Sequence, residues 1–169
     1  MANVVAFDAS FLLPVFSRSL HAVPNNPSTG KPIKQYDEKI DHLLNRLEKQ
    51  KTRMLIPAPA LSEILVEERA ERIGEYLKII LSRSAFRVAP FKQDAAIAVA
   101  VMNRNAMEQG DKRSGSTESW QKIKFDRQII AIAKVNKAKI IYSDDQGLRN
   151  FAEQASLKVV SSHELDPPA

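Results

Sequence analysis

Short apolar runs alternate along this chain with longer segments in which apolar residues recur every three or four positions. The runs fit strands that are buried on both faces, and the recurring spacing fits amphipathic helices. The predicted strands span residues 3–7, 53–56, 86–89, 139–142 and 157–160. Helices are predicted at 9–16, 36–49, 73–81 and 94–107, from residue 61 onward, from residue 123 onward, and across residues 148–151. This alternation predicts an α/β fold with a mainly parallel sheet.

Polar and proline-rich stretches separate these elements without dividing the chain into domains. Residues 21–34 hold three prolines and a glycine among other turn residues, so we predict a loop rather than a domain linker. Residues 110–119 are the most polar stretch and are expected to form a mobile loop, and residues 164–169 a frayed tail. A chain of 169 residues without internal repeats is most simply one domain.

The composition narrows the classes of function. The chain has no cysteine, which excludes disulfides, thiolate zinc sites and cysteine nucleophiles. No apolar run approaches the roughly 20 residues of a membrane span. Asp8 interrupts the apolar N-terminus, which therefore does not fit a secretory signal, and we expect a cytoplasmic protein. Lys and Arg exceed Asp and Glu by 25 to 20, and this basic balance favours a polyanionic partner such as nucleic acid.

One carboxylate is predicted to lie on the apolar face of a helix. Ile129, Ile130 and Ala133 follow Asp126 by three, four and seven positions, which is the spacing of a single helix face. Arg127 is predicted to point away from that face. A buried carboxylate must be neutralised, hydrogen-bonded or paired with a cation, because an unpaired buried charge is strongly unfavourable. A bound cation and a buried arginine partner both stay open for Asp126.

Acidic residues recur where predicted strands end and predicted helices begin. These positions are Asp8, Glu63, Asp126, Asp144 and Asp145. Open α/β folds place their ligands at the edge of the sheet where the carboxyl ends of the strands meet. Carboxylates gathered there repel one another unless a hard divalent cation lies among them, and Mg²⁺ or Mn²⁺ prefers oxygen ligands. Such a cation can activate a water molecule for phosphodiester hydrolysis.

Four short motifs occur in order over nearly the whole chain. They are DAS after an apolar strand at residues 8–10, LSEIL at 61–65, DRQIIAIA at 126–133 and YSDD at 142–145. No single one is specific, but four in this order at compatible spacing resemble the PIN-domain family of metal-dependent ribonucleases. Within that family they resemble the VapC-like toxins of toxin–antitoxin systems.

The resemblance implies a three-layer α/β/α fold with four to five strands, and a role for each motif. It implies that Asp8, Asp126 and Asp145 hold Mg²⁺ or Mn²⁺, with Asp145 acting directly or through water. Glu63 would orient or deprotonate the attacking water. The supporting residues would be Ser10, Ser143 and Asp144. RNA as the substrate, a small antitoxin as a possible partner and a homodimer are implied in the same way.

Simpler roles stay open for several of these residues. Asp8 could cap the helix that follows it, and Glu63 could only favour the dipole of its own helix. One of Asp144 and Asp145 could cap the last predicted helix. Their adjacency also leaves the last ligand ambiguous, although the motif spacing favours Asp145.

Basic residues gather in and after the polar loop at 110–119. The candidates for RNA phosphate contacts are Lys112, Arg113, Lys122, Lys124 and Arg127. A solvated basic face is the simpler role for all five. Trp120, in the same region, is expected to pack against the core rather than stack on a base.

Two other functions fit parts of the pattern. A phosphatase of the haloacid dehalogenase type also starts with a strand that ends in Asp, but it needs a second Asp two residues later, where this chain has Ser10. A non-catalytic PIN-like scaffold for RNA or protein would be favoured by the loss of the acidic residue from one of the four motifs, and all four motifs keep theirs here. The sequence therefore favours a metal-dependent endoribonuclease that uses water as the nucleophile.

Overall fold

The computed structural model describes residues 2–16, 21–66 and 69–168, which are built around a sheet of five strands. The strands are β1 (Val4–Phe7), β2 (Arg53–Pro57), β3 (Phe86–Ala89), β4 (Ile140–Tyr142) and β5 (Lys158–Val160). Their order across the sheet is β3-β2-β1-β4-β5, and every neighbouring pair is parallel. The prediction of a mainly parallel sheet of four to five strands is confirmed.

Seven α-helices occur in the described part of the chain, one for each predicted helical segment. They are α1 (Ala9–Phe16), α2 (Tyr36–Lys49), α3 (Ala58–Val66), α4 (Ile73–Ser82), α5 (Gln93–Glu108), α6 (Trp120–Val135) and α7 (Gln146–Gln154). Helix α3 begins before the predicted start at residue 61, because Pro59 lies in its first turn, where a backbone N–H is not needed. None of the helices described is long and apolar enough to cross a bilayer.

Helices cover both faces of the sheet, so the expected three layers are present. Successive strand side chains point to opposite faces, and Phe7 accordingly faces one core while Ala6 faces the other. The first core lies under α1, α2 and α4 and contains aromatic rings, with Phe7 stacked on Tyr142 at 5.1 Å between centroids. The second core lies under α5, α6 and α7 and is mainly aliphatic.

The carboxyl ends of β1 and β4 meet where the order of the sheet reverses. From β1 the chain builds outward through β2 and β3, and it then returns to place β4 and β5 on the other side of β1. The helices that follow the two central strands, α1 and α7, pack on opposite faces of the sheet. Ligands of open α/β sheets bind in the crevice at such a switch point. Asp8 and Ser143 are the first residues after β1 and β4.

Residues 21–34 form a loop, as predicted, and this loop is anchored to the domain. An isolated antiparallel bridge joins Asn25 and Pro32. Gly30 adopts a φ of +66°, a left-handed conformation that favours glycine. Ile33 is buried in the first core, so the loop ends by packing against the domain.

Residues 164–166, which we expected in a frayed tail, instead pack onto the domain. Glu164 pairs with Arg149 of α7. Leu165 is buried in the first core, and Asp166 lies 2.5 Å from Arg46 of α2. The segment after β5 therefore forms ion pairs with α7 and α2, which lie on opposite faces of the sheet.

Candidate functional site

Asp8 is held at the end of β1 by the sheet itself. Its backbone N–H donates to the Tyr142 carbonyl at 3.0 Å, which continues the pairing of β1 with β4. Its side chain is almost fully buried, and Oδ2 accepts hydrogen bonds from Ser10 Oγ at 3.0 Å and from Ser143 Oγ at 2.9 Å. Burial raises the pKa of the Asp8 carboxyl, although the two serine hydroxyls oppose this shift. A cation beside Asp8 would favour its charged form.

The hydroxyls of Ser10 and Ser143 join the ends of β1 and β4. Ser143 is fully buried, and its Oγ accepts the backbone N–H of Asp145 at 3.0 Å while donating to Asp8. Ser10 Oγ accepts the backbone N–H of Asp144 at 3.0 Å and also donates to Asp8. Each serine thus links the carboxylate at one strand end to the backbone at the other.

The two adjacent aspartates after β4 have different partners. Asp144 accepts the N–H of Ser162 at 2.7 Å and its Oγ at 2.9 Å, so it anchors the segment after β5. Asp145 caps α7, because its Oδ1 accepts the N–H of Leu148 at 3.0 Å, and its Oδ2 lies 2.6 Å from Lys122 Nζ. Burial alone would raise the pKa of Asp145, but Lys122 and the N–H groups of α7 outweigh burial and lower it. Asp145, rather than Asp144, lies beside the other carboxylates.

Asp126 projects from α6 with 1% of its side chain exposed. The prediction that it lies on the buried face of its helix is confirmed. Oδ1 accepts a hydrogen bond from Lys122 Nζ at 2.6 Å, and Oδ2 is buried without a hydrogen-bond partner. Burial raises the pKa of Asp126 to about 7, while the Lys122 ammonium opposes this shift. A buried carboxylate oxygen without a partner is rare and costly, and a cation would satisfy it.

Lys122 lies inside this acidic cluster and not on an open basic face. It precedes Asp126 by one helical turn, and its Nζ bridges Asp126 Oδ1 and Asp145 Oδ2 at 2.6 Å each. Burial lowers the pKa of Lys122, but the two carboxylates outweigh burial and raise it, so the side chain is an ammonium. The spacing of Lys122 and Asp126 can be read from the sequence. The contact with Asp145 depends on the tertiary fold.

Glu63 lies on α3 at the side of a cleft next to the cluster. The cleft has a volume of about 460 Å³. Its polar lining consists of Asp8, Ser10, Ser62, Glu63, Lys122 and Asp145. Burial raises the pKa of Glu63, and the charges of Asp8 and Asp145 add to the increase while Lys122 opposes it. A carboxylate with a raised pKa at the wall of a cleft is suited to accepting a proton.

The architecture around this cleft matches known structures, whereas the sequence alone matches neither a protein-family model nor a curated protein. VapBC2 from Rickettsia felis, bound to a promoter DNA fragment, matches with a TM-score of 0.58 at 13% identity over 94% of this chain and 98% of that chain. FitAB bound to a DNA fragment matches with a TM-score of 0.60 at 16% identity over 98% and 99%. DNA-bound VapBC from Salmonella typhimurium matches with a TM-score of 0.57 at 15% identity over 96% and 99%.

The chain has the PIN-like fold of these toxin–antitoxin proteins. The alignments cover nearly all of both chains, so the likeness is not confined to one part of the fold. The resemblance drawn from the four motifs is confirmed at the level of the fold. At these identities the likeness extends to the fold alone, and the chemistry of the site rests on its own side chains.

The donors of this PIN fold suit a hard divalent cation, but they are not arranged as a finished metal centre. Within residues 2–16, 21–66 and 69–168, no three Asp, Glu or His side chains are grouped as metal ligands. The positive charge between Asp126 and Asp145 is the ammonium of Lys122. Carboxylate oxygens are nevertheless the donors that Mg²⁺ and Mn²⁺ prefer, and Asp126 Oδ2 has no other partner.

Arg127 is buried, and the prediction that it points away from the apolar face of its helix is wrong. Its side chain is 2% exposed, so it does not belong to a surface that RNA could contact. The guanidinium donates to Asn103 Oδ1 at 2.8 Å and to Ser114 Oγ at 3.2 Å, and it lies 5.1 Å from the centre of the Phe151 ring. The sheet, α5 and α7 all pack against α6. The solvent-exposed face of α6 is therefore narrower than the spacing of its apolar residues indicates.

The other basic candidates keep some exposure. Lys112 Nζ lies 4.9 Å from the centre of the Trp120 ring, and Arg113 donates to the Glu118 carbonyl at 2.5 Å. Lys124 is half-buried on α6. Trp120 packs against the second core, as expected. Three of the five basic residues therefore stay available as candidates for RNA contacts.

Proposed function

We propose that this chain is a divalent-metal-dependent endoribonuclease that hydrolyses RNA phosphodiester bonds and acts as the toxin of a toxin–antitoxin pair. The proposal is carried by the convergence of Asp8, Asp126 and Asp145, from three different elements, at the switch point of a PIN-like sheet. Burial of like charges opposes folding, and such groups with perturbed pKa values gather at functional sites. The raised pKa values of Asp8 and Asp126 fit this description.

Asp8, Asp126 and Asp145 are the residues that would hold Mg²⁺ or Mn²⁺. The bound cation would supply an activated water molecule and stabilise the charge that develops on the phosphate. Ser10 and Ser143 keep Asp8 in place by donating hydrogen bonds to one of its oxygens. A cation at Asp145 Oδ2 would leave the cap of α7 intact, because that cap uses Oδ1.

Glu63 would accept a proton from the attacking water. It lines the cleft together with Asp8, and its raised pKa brings its proton affinity closer to the pH at which the enzyme works. Ser62, next to it on α3, lines the same cleft.

RNA would be attracted by the excess of basic residues. The formal charge of the chain is +5, and phosphate contacts dominate the affinity of proteins for nucleic acid. Lys112, Arg113 and Lys124 remain the proposed contact residues. Arg127 is withdrawn from this set because it is buried.

A small antitoxin in the cytoplasm is the proposed partner, as the toxin–antitoxin complexes with the same fold suggest. The chain exposes large apolar side chains on α5, with Ile97 58% and Val101 52% exposed one turn apart. Exposed apolar patches of this kind are covered by protein partners in many complexes. A homodimer belongs to the same proposal.

A non-catalytic PIN-like scaffold is the alternative, and Lys122 is the observation that favours it. Its ammonium already neutralises part of the carboxylate charge without any metal. A scaffold would keep this arrangement permanently and would bind RNA or protein without cutting it.

Cleavage of structured RNA by the purified protein separates the two functions. The reactions contain Mg²⁺, Mn²⁺ or EDTA, and Asp8→Asn is compared with Asp94→Asn, a control at an exposed aspartate in the first turn of α5. We expect metal-dependent cleavage that falls on the order of a hundredfold or more in Asp8→Asn and persists in the control. Equal cleavage in EDTA or in Asp8→Asn would contradict the proposal, and folded protein that is inactive with every metal would favour the scaffold.

A further inference from the structure

We propose that Lys122 is an internal counter-ion that competes with the divalent cation for Asp126 and Asp145, and that metal binding releases its ammonium into the cleft. The inference rests on the proposed function, because it assigns a role to Lys122 in the same site. The proposed role of Lys122 concerns the affinity for metal and the position of the Lys122 side chain, and not the cleavage of RNA.

Lys122 bridges two of the proposed metal ligands. Lys122 Nζ lies 2.6 Å from Asp126 Oδ1 and 2.6 Å from Asp145 Oδ2, so one ammonium joins α6 to the cap of α7. Both carboxylates are proposed metal ligands. The ammonium therefore takes the place between them that a bridging cation would need.

Both oxygens of Asp145 already have partners. Oδ1 accepts the N–H of Leu148 and caps α7. Oδ2, the oxygen that does not cap α7, is held by Lys122. An ammonium and a divalent cation on the same oxygen repel each other strongly where the dielectric constant is low. A cation that binds Asp145 directly through Oδ2 would thus displace Lys122.

Lys122 is more exposed than the buried carboxylate with which it pairs. Its side chain is 31% exposed, whereas that of Asp126 is 1% exposed, so the ammonium lies on the solvent side of the pair. Lys122 also lines the cleft with Glu63 and Asp8, whereas Asp126 does not. A lysine side chain has a flexible four-carbon stem, which allows its ammonium to move without any change in α6. In the cleft the released charge would face the phosphate of a bound RNA.

An ion pair with a purely structural role predicts a different result. If Lys122 only stabilised the fold and stayed in place when metal binds, its amine would be equally accessible with and without metal. If Lys122 competes with the cation, its removal frees two oxygens that the cation can use. The affinity for metal and the accessibility of Lys122 in the presence of metal together distinguish the two roles.

Titration with Mn²⁺ followed by electron paramagnetic resonance measures this affinity directly. The proteins are the wild type, Lys122→Met, Lys122→Gln, and Lys124→Met as a matched control that removes the same charge two residues further along α6. We expect Mn²⁺ to bind Lys122→Met and Lys122→Gln about tenfold or more tightly than the wild type, and Lys124→Met as tightly as the wild type. Unchanged or weaker binding in both Lys122 variants would overturn the proposal, as would the absence of Mn²⁺ binding from every protein.

Acetylation of lysines in the wild-type protein gives a second readout that does not depend on variants. The reaction rate at Lys122 is followed by mass spectrometry with and without Mg²⁺, and Lys124 serves as the internal reference. We expect Lys122 to react several-fold faster when Mg²⁺ is bound, because its Nζ then lies in the cleft, where the reagent can reach it, instead of between two carboxylates. A rate at Lys122 that Mg²⁺ leaves unchanged, in protein shown to bind the metal, would overturn the proposal.

These results can be told apart from the failure of the proposed function. Protein that binds Mn²⁺ and cuts RNA, but shows no gain of affinity without Lys122, would refute only the competition. Protein that shows the gain of affinity but never cuts RNA would refute the nuclease and leave the role of Lys122 toward metal in place.

Discussion

The hydroxyl of Ser143 donates a hydrogen bond of 2.9 Å to Asp8 Oδ2, although the two residues are 135 positions apart in the chain. The bond joins the ends of β1 and β4, the two strands between which the order of the sheet reverses. Ser143 Oγ also accepts the N–H of Asp145, so one buried hydroxyl orients two of the three proposed metal ligands. The candidate site is therefore built into the centre of the sheet.

Replacement of Ser143 tests this link. Ser143→Ala removes both hydrogen bonds in a fully buried position, and we expect a loss of about 1–3 kcal/mol in the free energy of unfolding, because a buried carboxylate and a backbone N–H lose their partner. Urea unfolding measures the change, with Ser28→Ala in the exposed loop as the control. Equal stability of Ser143→Ala and the wild type would show that the bond does not hold the strand ends together.

Replacement of Arg127 tests whether this basic residue of α6 stabilises the fold or contacts RNA. Arg127→Met keeps much of the apolar volume but removes the bonds to Asn103 and Ser114, so we expect the protein to lose about 1–3 kcal/mol of stability. RNA affinity, measured where both proteins are folded, should stay the same. Arg104→Met on α5 is the control. A loss of RNA affinity without a loss of stability would show that Arg127 contacts RNA.

The lowered pKa of Glu164 predicts how the stability of the protein changes with pH. Burial would raise the pKa of Glu164, but Arg149 and the N–H of Ser161 outweigh burial and lower it below its usual value of 4.5. A lowered pKa means that Glu164 contributes stability above about pH 4.5, and that this contribution disappears as the pH falls through the lowered pKa. Glu164→Gln should therefore be less stable than the wild type at pH 7 and equally stable in stronger acid.

Urea unfolding of both proteins between pH 3 and 7 checks this sign. The contact also bears on the site, because Arg149 donates to Ser161 Oγ at 2.7 Å, and Ser161 Oγ donates to the Ser143 carbonyl at 2.9 Å. A stability difference that does not change with pH would show that the charge of Glu164 is not what stabilises this corner.

Metal should stabilise the folded protein through Asp126. A ligand that binds only the folded state at a hundred times its Kd adds about 2.7 kcal/mol to the free energy of unfolding. We expect Mn²⁺ to raise the Tm of the wild type and to leave that of Asp126→Asn nearly unchanged. An equal rise of Tm in both proteins would remove Asp126 from the metal ligands.

The sequence predicted the fold well because its signals are local. The strands appear as apolar runs, and β1 and β4 end in the residues of two motifs, so Asp8 and Asp145 could be placed at one sheet edge. The buried position of Asp126 follows from the spacing of its helix. These features depend on residues that lie within a few positions of one another.

The roles of Lys122 and Arg127 could not be predicted from sequence because both depend on contacts across the fold. Lys122 precedes Asp126 by one helical turn, but its second partner, Asp145, follows β4 and is brought near only by the fold. Arg127 is buried because α5 and α7 pack on α6 from both sides and a loop residue, Ser114, closes over it. A basic residue on a helix is normally solvated, and only the packing of neighbouring helices reverses that.

The rate of RNA cleavage by the wild type and by Asp126→Asn, each with Mn²⁺ and with EDTA, tests the central claim most directly. Both proteins must first be shown to be folded by their thermal unfolding. We expect cleavage by the wild type with Mn²⁺, and none with EDTA or in Asp126→Asn. Cleavage by Asp126→Asn at the rate of the wild type, or cleavage by the wild type in EDTA, would contradict a metal-dependent nuclease at this cluster of carboxylates.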